Sequence, residues 1–299
     1  MLARTRVAGA DALILTGPTA RATVVPDLGG KIASLVDARS GREWLWHNAR
    51  LPFREPVYDA SYTEEFDSGG WDECFPAVAR GFFPSGPWKG TPIPDHGELW
   101  GLPWEVAEAT DVHITLAARG VRFPIEFTRT LALTDSGLQL DYRAFNPTPF
   151  DFPFLWCAHP LLAIEPGMEL LLPDATELEV YGRELGKAWQ WQRELPPRDA
   201  GVAIKAFGRS PRPGWAGVRA GSSGLRFEWD PAVVTHLGIW LNAGGWAGVP
   251  GAAPYYNLGL EPGIGPGDDL NLASSILKDA GTIPAKGHCD WTLQIHLTP

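Results

Sequence analysis

Apolar and polar residues alternate with a period of two through much of this chain, and that constrains its fold more than any other feature. In Leu138–Phe145 (LQLDYRAF), Leu138, Leu140, Tyr142 and Ala144 fall on one face. The run FTRTLAL just upstream alternates likewise. Thr134–Gly137 (TDSG) supplies the turn between them, which predicts a hairpin. Leu225–Trp229 alternates, as does Trp291–Leu297 after a Pro-Ala-Lys-Gly turn, and Val112–Leu116 reads as a further short strand. With 34 Gly and 28 Pro scattered among 299 residues, long helices are not expected. Short helices are expected only at Glu184–Glu194 and Asp268–Ala280, the second capped by Asp268. Gly208–Gly224 reads as loop. Many short strands between turn residues predict an all-β sandwich or barrel, with residues 1–299 as one domain.

Charge and cysteine usage narrow the partners. The formal net charge is -10. Nucleic acid and anionic membrane surfaces both call for a basic patch, so neither is expected as a partner. No window approaches a membrane span. The apolar run Leu13–Leu15 is too short for the core of a signal peptide. The three cysteines, Cys74, Cys157 and Cys289, form no CxxC pair, which predicts neither a disulfide framework nor a zinc knuckle. A cytoplasmic setting is the expectation. The 14 Trp offer flat apolar faces of the kind that suit the C–H faces of sugars, although large β-cores use them too.

Several titratable groups sit in unusual company. His159 lies in the middle of Phe152–Ile164 (FPFLWCAHPLLAI), where it needs a hydrogen-bond partner or a function that offsets its desolvation. His96 stands in PDHGELWGLPW, beside Trp100 and Trp104, and Glu261 is a lone carboxylate in NLGLEPGIG. Two imidazoles and a carboxylate among apolar residues have the makings of an acid–base site. Gly69-Gly70 leads into Trp71, Asp72 and Glu73, which read either as a polar loop entering a strand or as a loop offering acceptors and an aromatic face to a ligand. In Val233–Leu241, His236, Gly238 and Trp240 share one face, which suits a cleft wall or a solvent face equally. His96 and Glu98 form an HxE pair, but no downstream PCxxC completes a deaminase zinc site, and no metal is expected. No GxSxG, GxGxxG or Walker sequence is present.

Taken in order, these pieces resemble the aldose 1-epimerase (galactose mutarotase-like) superfamily, in a divergent bacterial branch. VVPDLGGKIASLVD resembles its opening strand pair, with Gly29-Gly30 at the bend. GGWDECFPAV and DHGELWGLPWEV resemble the stretches before and around its first active-site histidine, which places His96 there. TRTLALTDSGLQLDYRAFNPTPFDFPFLWCAHPLLAI resembles the run ending in its second histidine, which places His159. LGLEP resembles its catalytic glutamate stretch, which places Glu261, and PAKGHCDW with WTLQIHL resembles its C-terminal turn and strand. The family's Asn-Arg dipeptide is replaced by Asp72-Glu73. Its late hydroxyl-holding acid has no clear match, with Trp240 or Asn242 nearby.

The resemblance implies a large antiparallel β-sandwich with few short helices and a cofactor-free isomerase for a small-molecule sugar, acting as a monomer or homodimer. Glu261 would take the proton of the C1 hydroxyl, His159 would protonate the ring oxygen, and His96 would steady the transition state. Trp71, Trp100 or Trp240 would stack on the sugar, and Asp72 or Glu73 would grip hydroxyls. Three other readings are open. One is a non-catalytic sugar-binding domain on the same fold. Another is a glycoside hydrolase pairing Glu261 with Asp72 or Glu73. The third is a metal enzyme using His96, Glu98 and His159.

Overall fold

The alternating segments form strands, and the strands assemble into two large antiparallel sheets. The computed structural model describes residues 1–180, 187–188 and 190–299. Among these residues eleven strands make one sheet and eight make the other. Glu126–Thr134 and Gly137–Phe145 pair with Thr134 opposite Gly137, so the expected hairpin turns through Asp135 and Ser136 alone. The alternating segments at Leu225, Trp291 and Val112 lie in the strands Ser223–Trp229, His288–Thr298 and His113–Arg119.

One apolar core lies between the two sheets. Leu131, Leu138 and Leu293 of the smaller sheet join Leu35, Trp71 and Leu260 of the larger in a single cluster. A buried ion pair crosses it: Arg129 of the smaller sheet donates to Glu73 of the larger at 2.9 Å. Tyr142 Oη and Trp156 Nε1 also donate to the Glu73 carboxylate, at 3.0 and 2.9 Å. These donors offset the desolvation that would otherwise make a buried carboxylate costly. Burial still pushes Glu73 up to about 7 against the pull of Arg129.

The opening strand pair, Ala20–Val25 and Lys31–Asp37, is joined by a 3₁₀ turn and two glycines with φ of 75° and 63°. A Cβ on Gly29 would lie 2.4 Å from the Trp100 carbonyl oxygen, and one on Gly30 2.7 Å from the Trp104 ring. Both glycines therefore let the DHGELWGLPW loop press against the end of this strand pair.

Three sequence expectations are corrected. Gly208–Gly224 is not all loop, because Trp215–Ala220 is a strand paired with Ser223–Trp229. Ala216 and Val218 face inward there, and Gly217 fits because a Cβ would meet the Leu225 carbonyl oxygen at 2.6 Å. Asp268–Ala280 does hold a short helical segment, Leu272–Leu277, which ends at Lys278 with φ 54°. Asp268 does not cap it; Asp269 Oδ1 accepts from the N–H groups of Asn271 and Leu272 instead. In the other expected helix, Glu184–Glu194, residues 184–186 and 189 lie outside the described residues. Lys187–Ala188 is a short strand pairing with Glu179–Val180, and residues 190–194 are not helical.

Five neighbouring strands of the larger sheet position the site. In spatial order they are Trp71–Cys74, Trp156–Ala163, Tyr256–Ile264, His236–Ala243 and Val202–Arg209. His159 is directly opposite Asp72, Glu261 opposite Gly238, and Gly238 opposite Phe207. Cys157 pairs with Gly263 and Leu161 with Gly259, which sets His159 level with Glu261 between them. Asp72, His159, Glu261, Gly238 and Phe207 thus form one transverse row. Residues in one such row share one face of the sheet, and this face looks away from the core.

Candidate active site

His159 and Glu261 meet at the floor of a cleft of about 350 Å³ on this face. His159 Nε2 is 3.9 Å from Glu261 Oε1. Glu261 is 1% exposed, and its Oε1 has no hydrogen-bond partner among the described residues. Glycine makes room for the carboxylate on both sides. A Cβ at Gly259 would lie 2.5 Å from Oε1, and one at Gly238 would lie 3.1 Å from Oε2 and 2.7 Å from the Phe207 ring. The other oxygen, Oε2, faces Cys157 Sγ at 3.8 Å and Lys205 Nζ at 3.9 Å. Burial raises the Glu261 carboxyl above its ordinary range, against the pull of Lys205. Burial also holds His159 well below the usual imidazole value, and the charges on His96, Lys205 and Lys31 act in the same direction.

The second imidazole forms the roof. His96 has φ 58°, a left-handed conformation uncommon outside glycine, and it is followed by Gly97 at φ 76°. Its N–H donates to the Val78 carbonyl at 2.7 Å, which pins the bend. His96 Nδ1 lies 2.9 Å from Asp95 Oδ1, and its ring stacks on Tyr62 at 4.1 Å and meets His159 edge-on at 5.2 Å. A ring held by a carboxylate at Nδ1 presents Nε2 to the cleft. Burial works against ionisation of Asp95, but the hydrogen bond and charge of His96 and the Tyr62 N–H bring it below its usual range.

Tyr62 links the two histidines to the sheet. Its hydroxyl donates to Asp72 Oδ2 at 2.8 Å and sits 3.5 Å from His159 Nδ1. Lys31 Nζ donates to the same Asp72 oxygen. With the Tyr62 proton committed to Asp72, His159 Nδ1–H is the donor to Tyr62, and Nε2 is left facing Glu261. Trp240 and Trp246 supply the aromatic wall, edge to face at 5.5 Å. Asp67 also lines the cleft, with Oδ1 unpartnered among the described residues. Burial pushes it up to about 6.

No protein-family model matches the chain, and no curated protein sequence does. Solved structures do match it along nearly its full length. Slr1438 from Synechocystis sp. PCC 6803 superposes with a TM-score of 0.71 at 18% identity, over 96% of this chain and 95% of that one. A galactose mutarotase related enzyme from Lactobacillus acidophilus gives 0.71 at 14% identity, over 96% and 97%. A galactose mutarotase-like protein from Clostridium acetobutylicum gives 0.73 at 15%, over 99% and 98%. The fold is galactose mutarotase-like.

On this galactose mutarotase-like frame, the residues singled out from the sequence divide. His96, His159, Glu261 and Trp240 line one cleft. Trp71 and Glu73 do not reach it. They alternate with Asp72 and so point into the core, where Trp71 packs edge-on against Phe227 at 5.5 Å and Glu73 binds Arg129. Strand parity removes both as sugar contacts. Asp72 is on the cleft side but is buried beneath Tyr62 and Lys31, which both donate to its Oδ2, and it does not line the cleft. Trp100 is also covered: it packs on Tyr62 and Phe66 and donates Nε1–H to the Asp95 carbonyl at 2.7 Å. Glu98 turns away from His96 to accept from Tyr58 Oη and the Arg122 N–H. Asn242 is buried and holds the Trp246 backbone.

Sequence reasoning missed Tyr62, Asp67, Asp95, Lys205, Trp246 and Asp268, all of which line the cleft. Asp95 could have been found from its place beside His96. Lys205, in VAIKAFGR, carried a weaker signal as a charge within an apolar alternation. Tyr62 opens a helical turn, Tyr62–Phe66, and Asp67 and Asp268 lie in loops; no periodicity points to any of the three.

Proposed function

We propose that this protein is an aldose 1-epimerase, interconverting the α and β anomers of a sugar by general acid–base ring opening. One observation carries the reading. A buried carboxylate oxygen without a hydrogen-bond partner among the described residues, Glu261 Oε1, faces His159 Nε2 across 3.9 Å at the floor of a sugar-sized cleft. An orphaned buried acceptor is costly unless a ligand supplies the donor, and a hemiacetal hydroxyl is such a donor. The galactose mutarotase related enzyme of Lactobacillus acidophilus shares the fold.

The chemistry follows from the two groups. Glu261 takes the proton from the C1 hydroxyl. The C1–O5 bond breaks as the C1 carbonyl forms, and the proton on His159 Nε2 passes to the ring oxygen. Rotation about C1–C2 turns the carbonyl over. Closure runs the same transfers backward and returns each proton to its origin. Burial helps both partners: a carboxyl raised above its usual range is a stronger base, and an imidazolium lowered below its usual range is a stronger acid. Burial disfavours the competent form, with the charge on Glu261 and the proton on His159. A hydroxyl donating to Oε1 favours it, because hydrogen bonding to the charged carboxylate stabilises that state. In this reading His96 Nε2 contacts the same reacting oxygens and Trp240 covers a sugar face; both residues line the cleft.

Replacing Glu261 by Gln or His159 by Asn is expected to abolish mutarotation while the protein remains folded. Polarimetry on freshly dissolved α-D-glucose and α-D-galactose reads the rate, and circular dichroism reads the fold. An unchanged rate in either variant refutes its assigned role. Sugar binding by calorimetry with no rate enhancement in the wild type would favour a binding domain instead. The hydrolase alternative is weakened because Glu73 faces the core and Asp72 is held by Lys31 and Tyr62.

A further inference from the structure

Glu261 lies against a second charged pair that the acid–base chemistry does not use. Lys205 Nζ sits 2.9 Å from Asp268 Oδ1 and 3.9 Å from Glu261 Oε2. Its side chain is largely buried, and its ammonium lies 5.4 Å from the centre of the Phe207 ring. Strand pairing places Lys205 opposite Trp240, one row from Glu261, so the lysine reaches diagonally over Gly238 and Phe207 to the carboxylate. Burying an ammonium at this depth is costly unless it is paired, and both partners here are carboxylates of the same cleft.

We propose that the Lys205–Asp268 pair is a positioning device for Glu261, setting the plane of its carboxylate so that one oxygen lies toward the ammonium and the other is presented to substrate. The inference rests on the reading of Glu261 as the base and assigns that site a further part. A carboxylate has two equivalent oxygens and rotates between them. The glycines at 238 and 259 place no side chain against either oxygen, so a neighbouring fixed charge sets the rotation of the carboxylate plane. Asp268 in turn anchors the ammonium from the loop ahead of the Leu272–Leu277 turn. Burial works to lower Lys205, but Asp268 and Glu261 overcome it and hold the ammonium above its usual range, so it remains charged throughout the working pH.

The charges around Glu261 can be named from each side: His159 and Cys157 on the adjoining strand, Cys74 beyond them, Lys205 and Asp268 at the other edge, and His96 above. Of these, Lys205 lowers both Glu261 and His159, and Asp268 raises Glu261. The two members of the pair therefore act with opposite sign on the same reaction.

The test is the pH profile of kcat/KM for mutarotation in Lys205→Met, Lys205→Arg and Asp268→Asn. Lys205→Met is expected to move the profile to higher pH by about one unit, the scale for losing a neighbouring charge. Asp268→Asn, which removes a negative charge and frees the ammonium, is expected to move it to lower pH. Lys205→Arg keeps the charge and is expected to stay near the wild-type profile. Profiles that superimpose, or that move in the same direction in Lys205→Met and Asp268→Asn, overturn the proposal. Should Lys205→Met fail to fold, the Asp268→Asn shift against Lys205→Arg decides alone. Glu261→Gln separates the two levels: activity retained there removes the base itself. Activity lost there with unmoved profiles in the pair removes only the positioning role.

Discussion

Gly259→Ala probes whether the placement of one oxygen governs activity. Gly259 sits within a strand and has an ordinary extended backbone, so alanine brings no φ strain. Its Cβ would lie 2.5 Å from Glu261 Oε1 and 3.2 Å from Trp240 Cβ. Ordinary contact begins near 3.4 Å, so the carboxylate oxygen must retreat by 3.4 − 2.5, close to 1 Å. A carboxylate at the end of a side chain can move that far cheaply, and the cost to folding is at most that of mild overpacking, about 1–3 kcal/mol. Its chemistry cannot absorb the same movement. A displacement of about 1 Å from the reactive position costs on the order of 10²-fold in rate, equivalent to about 2.7 kcal/mol in the barrier. The expected result is a folded protein with mutarotation reduced about a hundredfold. Polarimetry reads the activity and urea denaturation the stability. Gly81→Ala serves as control, since a Cβ there meets nothing within 4 Å. Full activity in a stable Gly259→Ala protein would refute the claim that the position of Oε1 sets the rate.

Two further predictions concern the frame. Glu73→Ala leaves Arg129 buried and charged between the sheets, and is expected to cost about 3–5 kcal/mol of stability, read as a lowered midpoint in urea; a midpoint within error of wild type would show that the core ion pair is dispensable. His236 is held neutral, lowered by burial to about 4 from 6.5, despite Asp279 at 3.5 Å. A depressed histidine contributes stability that is present above its unfolded pKa and is lost as pH falls through the folded one, here between 6.5 and about 4. That amounts to at most about 3 kcal/mol. His236→Gln is expected to flatten the fall in stability over that window in urea titrations at stepped pH, and an unchanged pH dependence would count against it.

Local pattern was enough to place the alternating strands, the hairpin at Asp135–Ser136, the scarcity of helix and the three titratable residues that lie in apolar runs, but not the strand Trp215–Ala220. Each of these follows from local chemistry: side-chain period, turn residues, and the cost of desolvating a charge. Alternation also required Asp72 to differ in face from Trp71 and Glu73, yet it could not say which face would be covered by the second sheet. Pairing decided that, by setting Asp72, His159 and Glu261 in one row across three strands distant in the chain. The glycines at 238 and 259 acquired their meaning only when a carboxylate came to lie between them. Tyr62 arrives from the helical turn Tyr62–Phe66, and Asp67 and Asp268 from loops, with no period to mark them; Lys205 became part of the site only when the sheet carried it to Glu261. Local pattern fixes which side of a strand a residue is on. Long-range register fixes what it faces, and acid–base chemistry depends on the facing group.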